Sequence, residues 1–184
     1  TPGAHGQMRM FNADGSEGSM AGNALRCMAK YLYDNGIVRK EEMTLETDKG
    51  TKTVRVYTTD GRVTSACVDM GYATLDTTAL RLNIPKRQVV NYPVEIAGQP
   101  WEITCVDMGN PHCVVFCSRV DGVDVARIGP QFEHAPYFPD RINTEFIRVV
   151  NPSTIKMRVW ERGSGETLAC GTGACAAVVA AVAN

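Results

Sequence analysis

Alternating apolar and polar positions dominate the chain between residues 43 and 160, and this pattern predicts β-strands. The runs 53–59 and 62–68 meet at Asp60-Gly61, a dipeptide typical of tight hairpin turns. A meander is therefore expected in this region. A second hairpin is predicted where the turn 98–100 separates two further runs. The remaining predicted strands are 8–12, 112–117, 143–150 and 153–160.

Helical periodicity is confined to a few segments of the chain. Residues 25–33 and 174–183 predict two principal helices, and residues 123–134 predict a weaker third. The segment 174–183 has no polar face, so we expect it to be buried at the centre of its part of the fold. Many strands with two principal helices predict an α+β fold. We place a domain boundary between residues 75 and 76, giving an incomplete N-terminal half, 1–75, and a C-terminal half, 76–184.

A short pattern is repeated just before the two principal helices. A glutamate is followed four residues later by Ala or Cys, then by Gly and a small polar residue. The copies are Glu17-Gly-Ser-Met-Ala21-Gly22-Asn23 and Glu166-Thr-Leu-Ala-Cys170-Gly171-Thr172. Free backbone N–H groups and the positive end of the helix dipole meet at a helix start, which favours a thiolate or a carboxylate there. The chain is therefore predicted to contain two related halves, of which only the second keeps a thiol at this position.

Composition narrows the classes of partner. The 184 residues carry a net charge of −1 and no long run of like charge, which disfavours nucleic acid and a membrane surface and favours a small-molecule partner. Seven cysteines form an odd set within apolar runs, which indicates reduced thiols in the cytoplasm. The sequence shows no signal peptide and no apolar span of eighteen residues. It leaves the oligomeric state open, with a homodimer as one option.

Two other site chemistries compete for the cysteines. Cys113 with Cys117, and Cys170 with Cys175, approach the spacing of zinc ligands. The first pair would share one strand face as buried thiols do, and the second pair would diverge at a helix start, so we expect no metal. A cysteine hydrolase using Cys170, His112 and an asparagine stays open, although a hydrolase needs no duplicated motif.

Several motifs together resemble the diaminopimelate epimerase family of pyridoxal-independent amino-acid epimerases. The matching segments are Phe11-Asn-Ala-Asp-Gly-Ser-Glu17, Gly22-Asn23, Arg26-Cys27, Gly109-Asn-Pro-His112, Asn143-Thr-Glu-Phe146 and Glu161-Arg-Gly-Ser-Gly-Glu-Thr-Leu-Ala-Cys-Gly-Thr-Gly-Ala-Cys175. The resemblance implies two pseudo-symmetric halves, each a sheet wrapped around a central helix. It also implies a reaction without a cofactor, in which one cysteine removes the α-proton of LL-diaminopimelate and another protonates the opposite face, giving the meso form.

The same resemblance assigns roles to residues. It implies that Cys170 is one catalytic cysteine, that Ala21 occupies the position of the other, and that His112 and Glu161 flank the reacting centre. The implied substrate-binding residues are Asn12, Gly22, Asn23, Asn110, Asn143, Arg162, Gly171 and Thr172. Arg162 suits a carboxylate at the far end of the substrate. Ala24 also replaces a usual glycine of the family.

These departures shape the functional expectation. With Ala21 in place of a catalytic cysteine, two-base epimerisation is expected to be nearly abolished or limited to one face. Two alternatives remain open: a substrate-binding pseudoenzyme, and an isomerase or dehydratase that uses one thiol on another amino acid.

Overall fold

The computed structural model describes residues 3–11, 15, 17–18 and 21–184. The chain divides into two compact units, residues 1–71 and 72–184. Each unit contains a β-sheet and a 13-residue helix that begins at the glycine of one copy of the repeated pattern. The α+β class predicted from the sequence is confirmed. No helix in the described part of the chain is long and apolar enough to cross a membrane.

In the first unit, one sheet packs against one helix. Its elements are β1 (Gly6–Gln7), β2 (Met10–Phe11), β3 (Glu17–Gly18), α1 (Gly22–Asp34), β4 (Glu42–Thr47), β5 (Gly50–Thr59) and β6 (Arg62–Val68). The sheet has the order β1-β4-β5-β6, and β2 pairs with β3 separately. Leu25, Ala29 and Leu32 of α1 are buried because they recur at helical spacing on the side that meets the sheet.

The predicted hairpin at Asp60-Gly61 is confirmed. It joins β5 and β6, and both turn residues have positive φ, 51° at Asp60 and 75° at Gly61. This backbone matches the right-handed twist of the strands and is tolerated well by Gly and Asp. The second predicted hairpin is displaced: its turn residues are Ala97 and Gly98, and Pro100 pairs with Glu95 in the adjoining strand.

The second unit is built on a six-stranded sheet. Its elements are β7 (Tyr92–Ile96), β8 (Gln99–Asp107), β9 (Pro111–Phe116), α2 (Val125–Glu133), β10 (Asn143–Asn151), β11 (Thr154–Glu161), β12 (Gly165–Thr167) and α3 (Gly171–Ala183). The sheet order is β12-β11-β10-β9-β8-β7. The strands β9 and β10 are parallel, and the connection between them contains α2, the weaker helix predicted from the sequence. The other strand pairs of this sheet are antiparallel.

The two faces of this sheet pack against different helices. One face packs with α2 in an apolar core where the rings of Phe132 and Phe146 meet edge to face, with centroids 5.4 Å apart. The other face packs with α3, which contacts β8 to β11. Because side chains alternate along strands, His112, Asn143 and Glu145 share this second face.

The expectation that the last helix is buried on every side is wrong for the described structure. Thr172, Gly173, Ala176, Ala177 and Ala180 are buried. Val178 and Val182 lie on the opposite side of α3 and are 54% and 84% exposed. An apolar sequence all around a helix therefore did not suffice to identify which side contacts the sheet.

Candidate active site

Both copies of the repeated pattern produce the same backbone at the helix start. Cys170 precedes α3 with φ −130° and ψ 114°, and Ala21 precedes α1 with φ −132° and ψ 102°. The carbonyl of each residue accepts the first helical hydrogen bond, from Ala174 in one case and from Leu25 in the other. The two N-cap positions therefore differ mainly in chemistry, with a thiol in one unit and a methyl group in the other.

The Cys170 thiol caps its own helix. Its Sγ accepts a hydrogen bond from the Gly173 backbone N–H at 3.3 Å and lies 3.6 Å from the Thr172 hydroxyl oxygen. No described residue accepts from the backbone N–H groups of Gly171 and Thr172, which leaves two donors at the helix start. Free N–H donors at a helix start can bind an anion such as a carboxylate.

The ionisation of Cys170 is opposed by its surroundings. The residue is 8% exposed, and burial raises the pKa of its thiol to about 11, with the Glu161 charge as the second cause. The hydrogen bonds from Thr172 and Gly173 lower the pKa but are outweighed. At neutral pH Cys170 is therefore a protonated thiol, able to give a proton but needing an acceptor before it can take one.

A buried hydrogen-bond network reaches the thiol from the sheet. The fully buried His112 donates from Nδ1 to Glu145 Oε1 at 2.7 Å. Its Nε2 lies 3.0 Å from the Thr172 hydroxyl oxygen and 2.9 Å from the Asn110 amide oxygen. The Asn110 amide also donates to the Thr172 hydroxyl at 3.2 Å. The Thr172 hydroxyl thus lies between the His112 ring and the Cys170 thiol.

Strand register explains how these groups meet. In the parallel pair β9 and β10, Asn143 lies opposite His112, and Glu145 comes two residues later on the same face. The start of α3 then lies over this face, so that a Cβ on Gly173 would be only 2.5 Å from Glu145 Oε1 and 3.1 Å from Cys170 Sγ. Glycine at 173 is therefore required for the close approach of helix, carboxylate and thiol.

The remaining predicted residues of the second unit lie at the ends of β10 and β11. Asn143 donates to the Pro111 carbonyl at 2.8 Å and accepts from the Arg162 backbone N–H at 2.8 Å, so its amide holds strand ends together. The Arg162 guanidinium donates to the Asp140 carbonyl at 3.2 Å. Glu161 accepts a hydrogen bond from the Thr167 hydroxyl. Its charge acts on Cys170, as described above.

In the first unit, Gly22 and Asn23 form the start of α1, and Ala21 before them carries no thiol. Gly22 is buried, and the Asn23 amide oxygen accepts from the Arg26 guanidinium. No side chain caps α1 at Ala21. Asn12, the other predicted substrate-binding residue of this unit, lies outside the described residues.

Glu145 was missed by reasoning from the sequence. It stands in the quoted motif Asn143-Thr-Glu-Phe146 but received no role. It is fully buried, its Oε1 is bound to His112, and its Oε2 has no hydrogen-bond partner among the described residues. A lone carboxylate on the face of β10 that carries Asn143 was the signal that could have identified it.

The cysteines considered as zinc ligands do not converge. Within the described ranges, no group of three or more His, Cys, Asp or Glu side chains is arranged to hold a metal ion. Cys113 lies opposite Cys105 across two buried strands, and burial is the main cause that raises its pKa well above the ordinary value. Cys117 and Cys175 are partly buried free thiols.

Comparison with known proteins gives consistent results. The family model "Diaminopimelate epimerase" matches residues 1–75 and 104–184. The chain is 52% identical to the diaminopimelate epimerase of Desulfovibrio desulfuricans, over 97% of the chain and 64% of the relative. It is 50% identical to that of Pelotomaculum thermopropionicum, over 100% of the chain and 66% of the relative. The chain thus spans about two thirds of the length of these curated relatives.

A solved structure supports the fold. The crystal structure of a probable proline racemase from Agrobacterium radiobacter aligns with a TM-score of 0.72 at 15% identity, over 99% of this chain and 57% of that one. At this identity the likeness concerns the fold alone. The family model covers most of the chain, and two relatives are about half identical to it. The chain therefore belongs to the diaminopimelate epimerase family.

Proposed function

We propose that this chain is part of a pyridoxal-independent isomerase that acts on diaminopimelate and that, with Ala21, it exchanges the α-proton from the Cys170 face only. The observation that carries the proposal is the matched pair of N-caps. Their backbone angles agree within 12°, but a thiol is present at Cys170 and absent at Ala21. The relatives that carry this name are about half identical to the chain.

The helix start at Cys170 supports this chemistry. The unpaired N–H groups of Gly171 and Thr172 are suited to a substrate carboxylate, on which negative charge grows as the α-proton leaves. The thiol is protonated at rest, so its first role is that of an acid. To act as a base it must first lose this proton.

Loss of the second thiol is expected to lower the rate of epimerisation. A positioned acid or base contributes about 10²- to 10⁴-fold to a rate, so Ala21 is expected to lower epimerisation by at least this range. It does not remove the helix start itself, where Gly22 stays buried and Asn23 keeps its place in α1. Substrate binding and one-sided exchange of the α-proton are therefore expected to survive.

Ala24 determines how the missing thiol can be restored. It is the third residue after the N-cap, as Gly173 is after Cys170, where an added Cβ would come within 3.1 Å of the sulfur. Because the two caps share one conformation, a sulfur at position 21 would press on the Ala24 methyl in the same way. In Ala21→Cys alone, the new sulfur is expected to be crowded by the Ala24 methyl group. In Ala21→Cys/Ala24→Gly this contact is absent.

The test follows α-proton exchange in deuterated water. The protein as encoded, Ala21→Cys, and Ala21→Cys/Ala24→Gly are incubated with LL- or meso-diaminopimelate, and deuterium and stereochemistry are read by NMR and chiral chromatography. We expect the encoded protein to exchange without inversion, and the double variant to epimerise at least about a hundredfold faster than it. Cys170→Ser, as the matched control, should abolish both. If the double variant folds and gives no inversion, the proposal fails.

A substrate-binding protein without turnover is the second candidate. The presence of alanine at both 21 and 24 favours it, since the two positions together remove the thiol and the space for it. Calorimetric binding of diaminopimelate by the encoded protein, with no deuterium incorporation, would select this candidate over the first.

All seven cysteines are free thiols in the structure. The proposed chemistry needs Cys170 in this reduced form, which is the form kept in the cytoplasm. We therefore propose the cytoplasm as the place of action.

A further inference from the structure

Glu133 ends α2 as a buried carboxylate that lies outside the site described above. The residue is 5% exposed. Its Oε1 accepts a hydrogen bond from the Gly163 backbone N–H at 2.9 Å and another from the Arg141 guanidinium at 3.0 Å, and its Oε2 accepts from the Trp160 indole N–H at 2.7 Å. A buried carboxylate is stable only when donors compensate its charge, and these three donors do so.

The protonation state of Glu133 follows from these donors. Burial alone would raise the pKa of its carboxyl group, but the hydrogen bonds from Trp160 and Gly163 outweigh burial and lower the pKa. Arg141 and, when protonated, His134 act in the same direction. Glu133 is therefore ionised at neutral pH, and both of its oxygen atoms are acceptors.

Two of the three donors belong to the hairpin that joins β11 and β12. In this hairpin Glu161 pairs with Gly165, so residues 162–164 form the turn. The Asn143 amide oxygen accepts from the first backbone N–H of the turn at 2.8 Å, and Glu133 accepts from the second. Side chains of β10 and α2 thus bind consecutive N–H groups of the same turn.

Glu161 is the last residue before this turn, and its charge acts on the site. After burial, it is the second cause that raises the pKa of the Cys170 thiol, because a carboxylate repels a thiolate. Glu145 on β10 acts in the same direction more weakly. His112 on β9 also faces the sulfur, with the Thr172 hydroxyl between them. The place of Glu161 therefore helps to keep Cys170 protonated at rest.

We propose that Glu133 is a positioning residue that acts on Cys170 through Glu161. By accepting from the Gly163 backbone and the Trp160 indole, it fixes the hairpin and, with it, the carboxylate whose charge acts on the thiol. The proposal rests on the proposed function in that it explains how the thiol of this site is kept in its acid form.

The experiment measures alkylation of Cys170 by iodoacetamide at pH 8 without substrate. Fragment ions in peptide mass spectrometry separate Cys170 from Cys175, and the exposed Cys27 gives an internal rate for the reagent. Glu133→Gln keeps the size of the side chain but replaces one acceptor by a donor, so the hairpin loses an anchor. We expect Cys170 to react about threefold faster in Glu133→Gln, because the Glu161 charge is no longer held in place.

A second background tests the path through Glu161. Glu161→Gln removes the charge, so Cys170 should react faster in this variant, and adding Glu133→Gln should give no further increase. General loosening of the site would instead expose the thiol and accelerate alkylation equally in both backgrounds. Equal acceleration in both, or a rate in Glu133→Gln alone that is unchanged or lower, overturns the proposal. Because no substrate is present, this result is independent of the proposed epimerisation.

Arg141→Met is the matched control. It removes the third donor to the same carboxylate and leaves both hydrogen bonds from the hairpin in place. The alkylation rate of Cys170 should therefore be unchanged in this variant. An acceleration as large as that in Glu133→Gln would mean that the hairpin bonds are not responsible, and would overturn the proposal.

Hydrogen exchange covers the case in which Glu133→Gln does not fold. In the unaltered protein, the Trp160 indole N–H and the Gly163 backbone N–H are donated to a buried carboxylate, so both should exchange slowly in deuterated water. The indole signal can be assigned by its loss in Trp160→Phe. If either proton exchanges as fast as an exposed N–H, Glu133 does not hold the hairpin and the proposal is overturned.

Discussion

Gly173→Ala is the most direct test of how tightly the site is assembled. The new Cβ would lie 2.5 Å from Glu145 Oε1 and 3.1 Å from Cys170 Sγ. The carboxylate cannot easily retreat, since it is fully buried and held by His112 at 2.7 Å. The first turn of α3 must therefore move away from the sheet, or the bond between His112 and Glu145 must break.

The magnitude follows from three contributions. Overpacking a core costs about 1–3 kcal/mol. Strain on a charge-assisted hydrogen bond, here that of His112 with Glu145, adds up to about 1.5–3 kcal/mol. Replacing glycine by alanine inside a helix returns about 1 kcal/mol. We expect Gly173→Ala to lower the free energy of unfolding by about 2–4 kcal/mol.

The assay is urea unfolding followed by tryptophan fluorescence. Both tryptophans, Trp101 and Trp160, belong to the unit 72–184, so the signal reports on the unit that contains the site. Gly122→Ala is the matched control, because its Cβ would have as nearest neighbour the Arg119 Cβ at an ordinary 3.8 Å. Unchanged or higher stability of Gly173→Ala would show that the described crowding is wrong.

Three further outcomes are expected. Gly129→Ala should lower the free energy of unfolding of the second unit by about 3 kcal/mol in urea unfolding, because its Cβ would lie 2.4–2.6 Å from three ring carbons of Trp160. In a Trp160→Ala background the same substitution should lower it by less, since the ring is no longer there. The free energy of unfolding should fall between about pH 9 and 11, because Cys170 loses its proton at lower pH in the unfolded chain than in the folded one, where its pKa is about 11. Urea unfolding at each pH should show that Cys170→Ser removes about 2–3 kcal/mol of that fall. The Thr78 hydroxyl is the main cause that lowers the pKa of Asp76 to about 2, so Asp76→Asn should reduce stability at pH 7, and thermal melts should show this difference disappearing as the pH falls from 3.8 towards 2.

The local parts of the fold could be predicted from the sequence because their causes are local. The Asp60-Gly61 turn follows from the ability of these residues to adopt positive φ. The start of each principal helix follows from the repeated pattern at Ala21 and Cys170. The displaced turn at Ala97 shows the limit, since alanine at φ 56° carries no turn signal of its own.

The arrangement of the site depends on contacts that are distant in sequence. His112 and Glu145 are 33 residues apart and meet only because β9 and β10 pair in parallel with one register. Periodicity predicts each strand but neither its neighbour nor its register, so the contact between Glu145 and His112 was not predictable. The same limit applies to the last helix, whose contact side is set by the sheet it meets.

The two alanines at 21 and 24 also bear on the evolutionary history of the chain. A lineage that lost the thiol would no longer be selected for glycine three residues later, and a methyl group could then accumulate there. Reversion would afterwards require two codon changes. The change at position 21 alone would place a sulfur against the Ala24 methyl group and restore little activity. Steric crowding within a single helical turn is thus sufficient to make the loss of a catalytic group hard to reverse.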